Sequence, residues 1–144
     1  MKSRCNLGGG TVLLAFALVG IIGCGNGRVP TYDVAGQVLV KGKPAEGAFV
    51  VFHPVEPTEP EVPRPYCRTD ADGHFKLTTY ELGDGAPANS YRLTIVWRPL
   101  PRSTIEAEKP DRLQGKYSNP ATSGLEVSVR KEPMILDPFD LIPP

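Results

Sequence analysis

The sequence predicts an all-β fold, an antiparallel β-sandwich of about seven strands. After residue 31, apolar side chains recur at every second position in several runs, which is the period of a strand with one face on a core. Gly, Pro and Asp separate these runs, and no long segment shows a helical period. Several short strands with turn residues between them are typical of a sandwich.

The first two strands follow from alternation and from one apolar run. Residues 34–40 alternate, and residues 41–44 (Lys-Gly-Lys-Pro) break the run as a turn, because glycine admits positive φ and proline removes a ladder donor. Residues 47–53 are almost continuously apolar. That run predicts a central strand buried on both faces.

Two further strands, residues 66–69 and 74–79, flank Asp-Ala-Asp-Gly at residues 70–73. Asp and Gly are the residues that a tight hairpin turn needs. Acidic residues two positions apart before a glycine also begin calcium loops. Phe75 and Leu77, however, stand where such a loop would need further oxygen ligands, so the turn is the preferred interpretation.

The strongest strand is predicted at residues 90–98. One of its faces carries four large side chains expected in the core: Tyr91, Leu93, Ile95 and Trp97. Residues 125–131 predict another strand, and residues 134–136 a short edge strand. A single helical turn is expected around residues 103–109, bounded by prolines on both sides.

The chain opens with a basic segment at residues 1–4 and an apolar run at residues 11–22. That layout is typical of a secretory signal, and the run is well short of the roughly 20 residues that cross a bilayer as a helix. Residues 21–24, Ile-Ile-Gly-Cys, resemble the lipobox of bacterial lipoproteins. The resemblance implies cleavage after residue 23 and a diacylglyceryl chain on Cys24. A plain secretory signal cut near the same place is the alternative.

Three parts are therefore expected: a signal peptide at residues 1–23, a flexible Gly- and Pro-containing tether at 24–31, and one domain at 32–144. The protein is expected to be exported and held by its lipid to the cell membrane or the outer membrane. Which of the two membranes holds it stays open.

Charge argues against nucleic acid as a partner. The chain has 16 basic and 16 acidic residues, and loss of Lys2 and Arg4 with the signal leaves 14 against 16. No basic patch appears in the sequence that would follow a phosphate backbone.

The cysteines and histidines point to no metal or cofactor. Cys5 is removed with the signal and Cys24 carries the anchor, so Cys67 is left without a partner for an internal disulfide. Its place in a predicted strand favours a buried thiol over a reactive one. His53, His74 and Cys67 show no metal-ligand spacing.

A proline-rich segment separates two of the predicted strands. Proline recurs every three residues from residue 54 to residue 63, which on a polyproline II helix places the rings along one edge and two glutamates along another. Such a semi-rigid acidic spur suits an aromatic-lined groove. An exposed loop merely stiffened by proline is the alternative. The candidate binding residues are Pro57, Pro60 and Pro63.

Four motifs resemble the carboxypeptidase regulatory-like domain: Val-Leu-Val-Lys-Gly-Lys-Pro at 38–44, Gly-Ala-Phe-Val-Val-Phe at 47–52, Thr-Asp-Ala-Asp-Gly-His-Phe at 69–75 and Tyr-Arg-Leu-Thr-Ile at 91–95. The resemblance covers residues 33–98 and implies a seven-stranded, transthyretin-like (Ig-like) sandwich. Residues 111–129 resemble the tail of small bacterial lipoproteins of this kind. Such domains are usually non-catalytic modules, and fold alone does not imply function.

No enzyme motif such as G-x-S-x-G, a P-loop or H-E-x-x-H occurs in the sequence. The transthyretin-like fold includes a hydroxyisourate hydrolase, but its C-terminal Tyr-Arg-Gly-Ser is absent here. We therefore expect a non-catalytic binding or structural module of the cell envelope, such as a protein-interaction adaptor. A carbohydrate or cell-wall binding module is the alternative, with Tyr80 and Tyr117 as the exposed aromatic candidates. A hydrolase is the least favoured.

Overall fold

The computed structural model describes residues 27–99, 103 and 107–144. Within these ranges the chain is all-β, as predicted, with eleven strands and no helix. The strands are β1 (Thr31–Tyr32), β2 (Val34–Val40), β3 (Lys43–Pro44), β4 (Phe49–Pro54), β5 (Tyr66–Arg68), β6 (His74–Lys76), β7 (Ala86–Pro87), β8 (Asn89–Val96), β9 (Glu126–Val129), β10 (Met134–Ile135) and β11 (Phe139–Leu141). The predicted count of about seven is too low because four of these strands have only two residues.

One sheet has four antiparallel strands in the order β5-β4-β8-β9. Strand β4 is central, as predicted, with Val50 opposite Cys67 of β5 and Ile95 of β8. Val50 is fully buried, whereas Phe49 and Val51 are half-buried. The prediction of burial on both faces is therefore wrong for β4, because the outer face of this sheet remains partly open to solvent.

Strand β2 organises the second group of strands. It pairs antiparallel with β3 and β6, and parallel with β10 near its start and with β11 near its end. The edge strand predicted at residues 134–136 is present as β10. The predicted purely antiparallel pairing is wrong for β10 and β11, because the chain returns to β2 from a distant loop and not through a hairpin.

Buried side chains from both groups of strands form one hydrophobic cluster, which gives a sandwich-like arrangement. Phe52 and Tyr91 meet edge to face at its centre, with 5.6 Å between ring centroids. Leu93 and Ile95 are fully buried, as predicted. Trp97, also predicted in the core, follows the last residue of β8 and packs against the cluster while half-buried.

The turn predicted at residues 70–73 is present. Gly73 N donates to Asp70 O over 3.0 Å, and Asp70 Oδ1 accepts the backbone N–H of Asp72 and of His74. Gly73 has a φ of +76°, and a Cβ at this position would lie 2.4 Å from the carbonyl oxygen of Val38. The turn carries the chain from β5, which pairs with β4, to β6, which pairs with β2.

The described part of the predicted tether lies against the domain. Arg28 Nη1 is 3.0 Å from Glu81 Oε1, Val29 N donates to the Tyr80 hydroxyl over 3.2 Å, and β1 pairs with β7. Only Thr31 of the predicted tether joins the ladder with β7, and the flexibility of residues 24–31 stays a prediction.

Three predictions fall wholly or largely outside the described residues. These are the signal peptide at residues 1–23, the lipid on Cys24 and the helical turn around residues 103–109. Of the last, Ser103 lies at a bend and residues 107–109 are irregular. The described residues hold no helix that is both long and apolar enough to cross a membrane.

Candidate functional site

The proline loop, residues 55–65, connects β4 to β5 at one end of the four-stranded sheet. Hydrogen bonds fix both of its ends: Val55 N donates to Ser90 O and Phe52 N donates to Pro65 O, each over 2.8 Å. Pro65 is fully buried, so the chain re-enters the core at that residue. The loop therefore projects from a fixed base.

Inside the proline loop the chain bends back on itself. Val62 N donates to Thr58 Oγ1 over 3.2 Å, and Asn89 Nδ2 donates to Glu56 O over 3.1 Å. Two bends interrupt the extended backbone. The prediction of one continuous polyproline II edge is wrong, because side-chain hydrogen bonds to the backbone of the loop hold these bends in place.

The three candidate prolines of this loop, Pro57, Pro60 and Pro63, are all exposed. Glu59 and Glu61 are exposed beside them. Pro57 and Pro63, together with Glu59, Glu61 and Arg64, border a depression of about 630 Å³ on the loop itself. Rigid apolar rings edged by carboxylates suit a partner whose groove is apolar at its centre and basic at its rim.

The other two candidate residues lie elsewhere and are covered. Tyr117 is 9% exposed, and its hydroxyl donates to Ile142 O over 3.2 Å. Tyr80 is half-buried beneath Arg28, whose guanidinium carbon lies 5.1 Å from the ring centroid. The expectation that both rings are exposed is wrong, because segments distant in sequence fold over them.

Two other aromatic side chains, Tyr66 and Trp97, do not form one exposed row. Tyr66, 45% exposed, lies on the outer face of the four-stranded sheet, with its ring centroid 6.0 Å from that of Phe49. Trp97 lies beneath Arg112, 4.7 Å from ring centroid to guanidinium carbon, and its Nε1 donates to Glu46 O over 2.8 Å. Phe49 and Trp97 are half-buried, so a row of exposed rings is not seen in the described part of the chain.

One group of three potential metal ligands occurs among the described residues: Asp70, Asp72 and His74. A ligand atom of each lies within 4.8 Å of the others, and all three residues are exposed. His74 was not expected to join the two aspartates. Because Asp70 Oδ1 already accepts two backbone N–H groups, the arrangement fits the turn interpretation. His53 and Cys67 do not belong to such a group in the described chain.

His53 ends the half-buried face of β4, and its Nε2 lies 3.0 Å from Thr94 Oγ1. Burial lowers the pKa of His53, and the nearby Arg64 cation lowers it further. Thr94 is buried, and His53 is the hydrogen-bond partner of its hydroxyl. The hydroxyl is therefore not accessible to a substrate.

Cys67 is a buried free thiol, as predicted. Burial raises the pKa of Cys67 far above the usual range of a cysteine. The thiolate is the reactive form, so this residue is inert in the folded chain.

Tyr91 gives the fold a pH limit. Its hydroxyl donates to Pro87 O over 2.8 Å, and burial, with a smaller contribution from Tyr80, raises the pKa of Tyr91 from 10.0 to about 12. Because folding favours the neutral phenol, its contribution to stability is complete below pH 10 and is lost between pH 10 and about 12.

We expect the urea midpoint to fall less between pH 9 and pH 11.5 in Tyr91→Phe than in the unmodified chain. Equal falls in the two proteins would contradict this.

The chain matches no family model and no curated protein. Among solved structures it is similar to a 9R-lipoxygenase from Cyanothece PCC8801, with 12% sequence identity and a TM-score of 0.38. The match covers 78% of this chain and 16% of the lipoxygenase chain. A likeness at this level supports no argument about activity.

Proposed function

We propose that the protein is a lipid-anchored, non-catalytic module of the cell envelope that docks a protein partner through its proline loop. Its fold is a carboxypeptidase regulatory-like, transthyretin-like sandwich, and Cys24 carries the lipid. The observation that carries the proposal is the loop itself, with Pro57, Pro60 and Pro63 exposed on a hydrogen-bonded base.

The construction of the loop favours docking over a passive connection. Two hydrogen bonds to Ser90 and Asn89 hold its first residues to β8, and the buried Pro65 holds its last. A preordered loop loses little conformational entropy when a partner closes over it. The exposed glutamates select a partner with basic groups near its groove.

The carbohydrate alternative has weaker support. A surface on which sugars stack needs neighbouring exposed aromatic rings. Among the described aromatic side chains only Tyr66 is substantially exposed. The hydrolase alternative has no described residue pair that places an accessible nucleophile beside a base.

Photo-crosslinking in intact cells tests the docking proposal. A photoreactive amino acid is placed at residue 60 of the full chain, with a matched probe at residue 121, an exposed turn position outside the loop. We expect one discrete protein adduct from position 60 and none of that mass from position 121.

A variant separates loop chemistry from mere proximity. Pro57→Ala combined with Pro63→Ala removes two exposed rings and leaves the buried Pro65 intact. We expect this pair of substitutions to reduce the position-60 adduct about tenfold, because few side chains supply most of the binding energy of an interface. The same adduct from both probe positions, or no loss in the variant, would reject docking through the loop.

A further inference from the structure

We propose that the tether pole of the domain rests on the membrane, with Leu82 and Ile135 inserted among the lipid headgroups. The tether pole is the surface formed by Arg28, the turn at residues 80–84 and Ile135. This inference rests on the lipid anchor proposed above. It adds a second membrane contact, made by the folded domain itself.

Leu82 stands at the tip of a turn that is held from inside. The side chain of Asp84 accepts the backbone N–H of Thr79 over 2.7 Å and of Tyr80 over 3.0 Å, and Gly83 N donates to Thr78 Oγ1 over 3.0 Å. Leu82 is nevertheless 98% exposed. In the isolated domain, the apolar surface of this leucine stays in water, which is unfavourable, and no packing contact offsets that cost.

Ile135, in β10, lies on the same surface and is 89% exposed. It is opposite Ala35 of β2, which is in turn opposite Lys76 of β6, so these three side chains share one face of the sheet. Leu82 and Ile135 both line one groove of about 1000 Å³. The two exposed apolar side chains therefore border a single groove, whose charged lining residues are Arg68, Lys76, Asp70 and Asp137.

The position of the anchor selects a lipid surface as the occupant. Three residues lie between Cys24 and Arg28, and the four steps from one to the other reach roughly 14 Å when fully extended. Arg28 forms a surface ion pair with Glu81 at 3.0 Å, Val29 N donates to the Tyr80 hydroxyl, and Glu81 directly precedes Leu82. A lipid on Cys24 therefore holds the Leu82 turn within reach of the headgroups, where apolar side chains enter the interface by about 5 to 10 Å.

The anchor also makes weak insertion sufficient. Once the lipid holds the chain to the bilayer, contact by the domain becomes an intramolecular step with a high effective concentration. Two apolar side chains then fix the orientation of the domain, although they would not bind a membrane alone.

Fluorescent labels at single cysteines test the orientation. The full chain, purified with its lipid, is reconstituted in vesicles of phosphatidylethanolamine and phosphatidylglycerol. Leu82→Cys and Ile135→Cys are labelled with an environment-sensitive dye, and Cys67 is buried and does not compete. Ile142→Cys is the matched control, because Ile142 is 61% exposed. It follows Leu141, which is opposite Val40 at one end of β2, whereas Ile135 is opposite Ala35 near the other end.

We expect quenching by nitroxide-labelled lipid to be at least about twofold stronger at positions 82 and 135 than at position 142. Leu82→Asp should lower the quenching at position 135 toward that of the control. Equal quenching at all three positions, with a diacylglyceryl group found on Cys24 by mass spectrometry, would overturn the inference and leave the anchor intact. Absence of both the lipid and vesicle binding would reject the anchor and the inference together.

Discussion

Phe52→Ala is expected to lower the free energy of unfolding by about 4 kcal/mol, because the change empties the centre of the core. Phe52 is fully buried on the inner face of β4 and contacts Tyr91 edge to face. Phe49→Ala on the same strand is the matched control, since Phe49 is half-buried on the outer face. Its expected cost is about 1 kcal/mol.

Urea denaturation followed by the fluorescence of Trp97, the single tryptophan, measures both changes. A domain of this size is stable by about 5 to 15 kcal/mol, so Phe52→Ala removes a large part of the total. Equal losses for the two variants would mean that the core does not lie between the two groups of strands.

Gly85→Ala is expected to cost about 3 kcal/mol and to detach β1 from the domain. Gly85 has a φ of +87°, and a Cβ there would lie 1.8 Å from the carbonyl oxygen of Tyr32. Gly83→Ala is the matched control in the same turn. Gly83 has a φ of +75° with nothing within 4 Å of a Cβ, so only the left-handed conformation costs energy, about 1 kcal/mol.

Thermal unfolding and amide hydrogen exchange at residues 31–32 distinguish the two glycine variants. We expect Gly85→Ala to lose exchange protection at residue 31 or 32, whereas Gly83→Ala keeps it. Unchanged protection in both variants would mean that the backbone moves to admit the new methyl group without releasing β1.

The two longest strands, β2 and β8, were predictable because each carries its own period of two. Residues 34–40 and 90–98 alternate over enough positions to identify both the strand and its buried face. Strands β1, β7 and β11 have two or three residues and form only because a distant partner supplies the ladder. All three contain or adjoin proline, which suggests a loop in the sequence alone.

The position of the proline loop could be predicted from the sequence, but its bent backbone could not. The spacing of the prolines located an exposed loop. It does not reveal the two hydrogen bonds that bend the loop, in which Asn89 donates to Glu56 O and Thr58 Oγ1 accepts from Val62 N. Tyr117 looked exposed because it follows a run of turn residues, and Ile142, 25 residues later, covers it. The exposure of Leu82 has one sign in the sequence, because this apolar residue stands inside the turn sequence Glu-Leu-Gly-Asp-Gly.

The pairing of β2 with β11 sets an order of events in folding. The parallel neighbour of Val38–Val40 in β2 is Phe139–Leu141. A loop of about a hundred residues must therefore close before this edge of β2 is paired. During synthesis, the early strand stays without this neighbour until residues 139–141 have been made. Because this ladder needs residues 139–141, it is the last of the four ladders of β2 that can form as the chain is made.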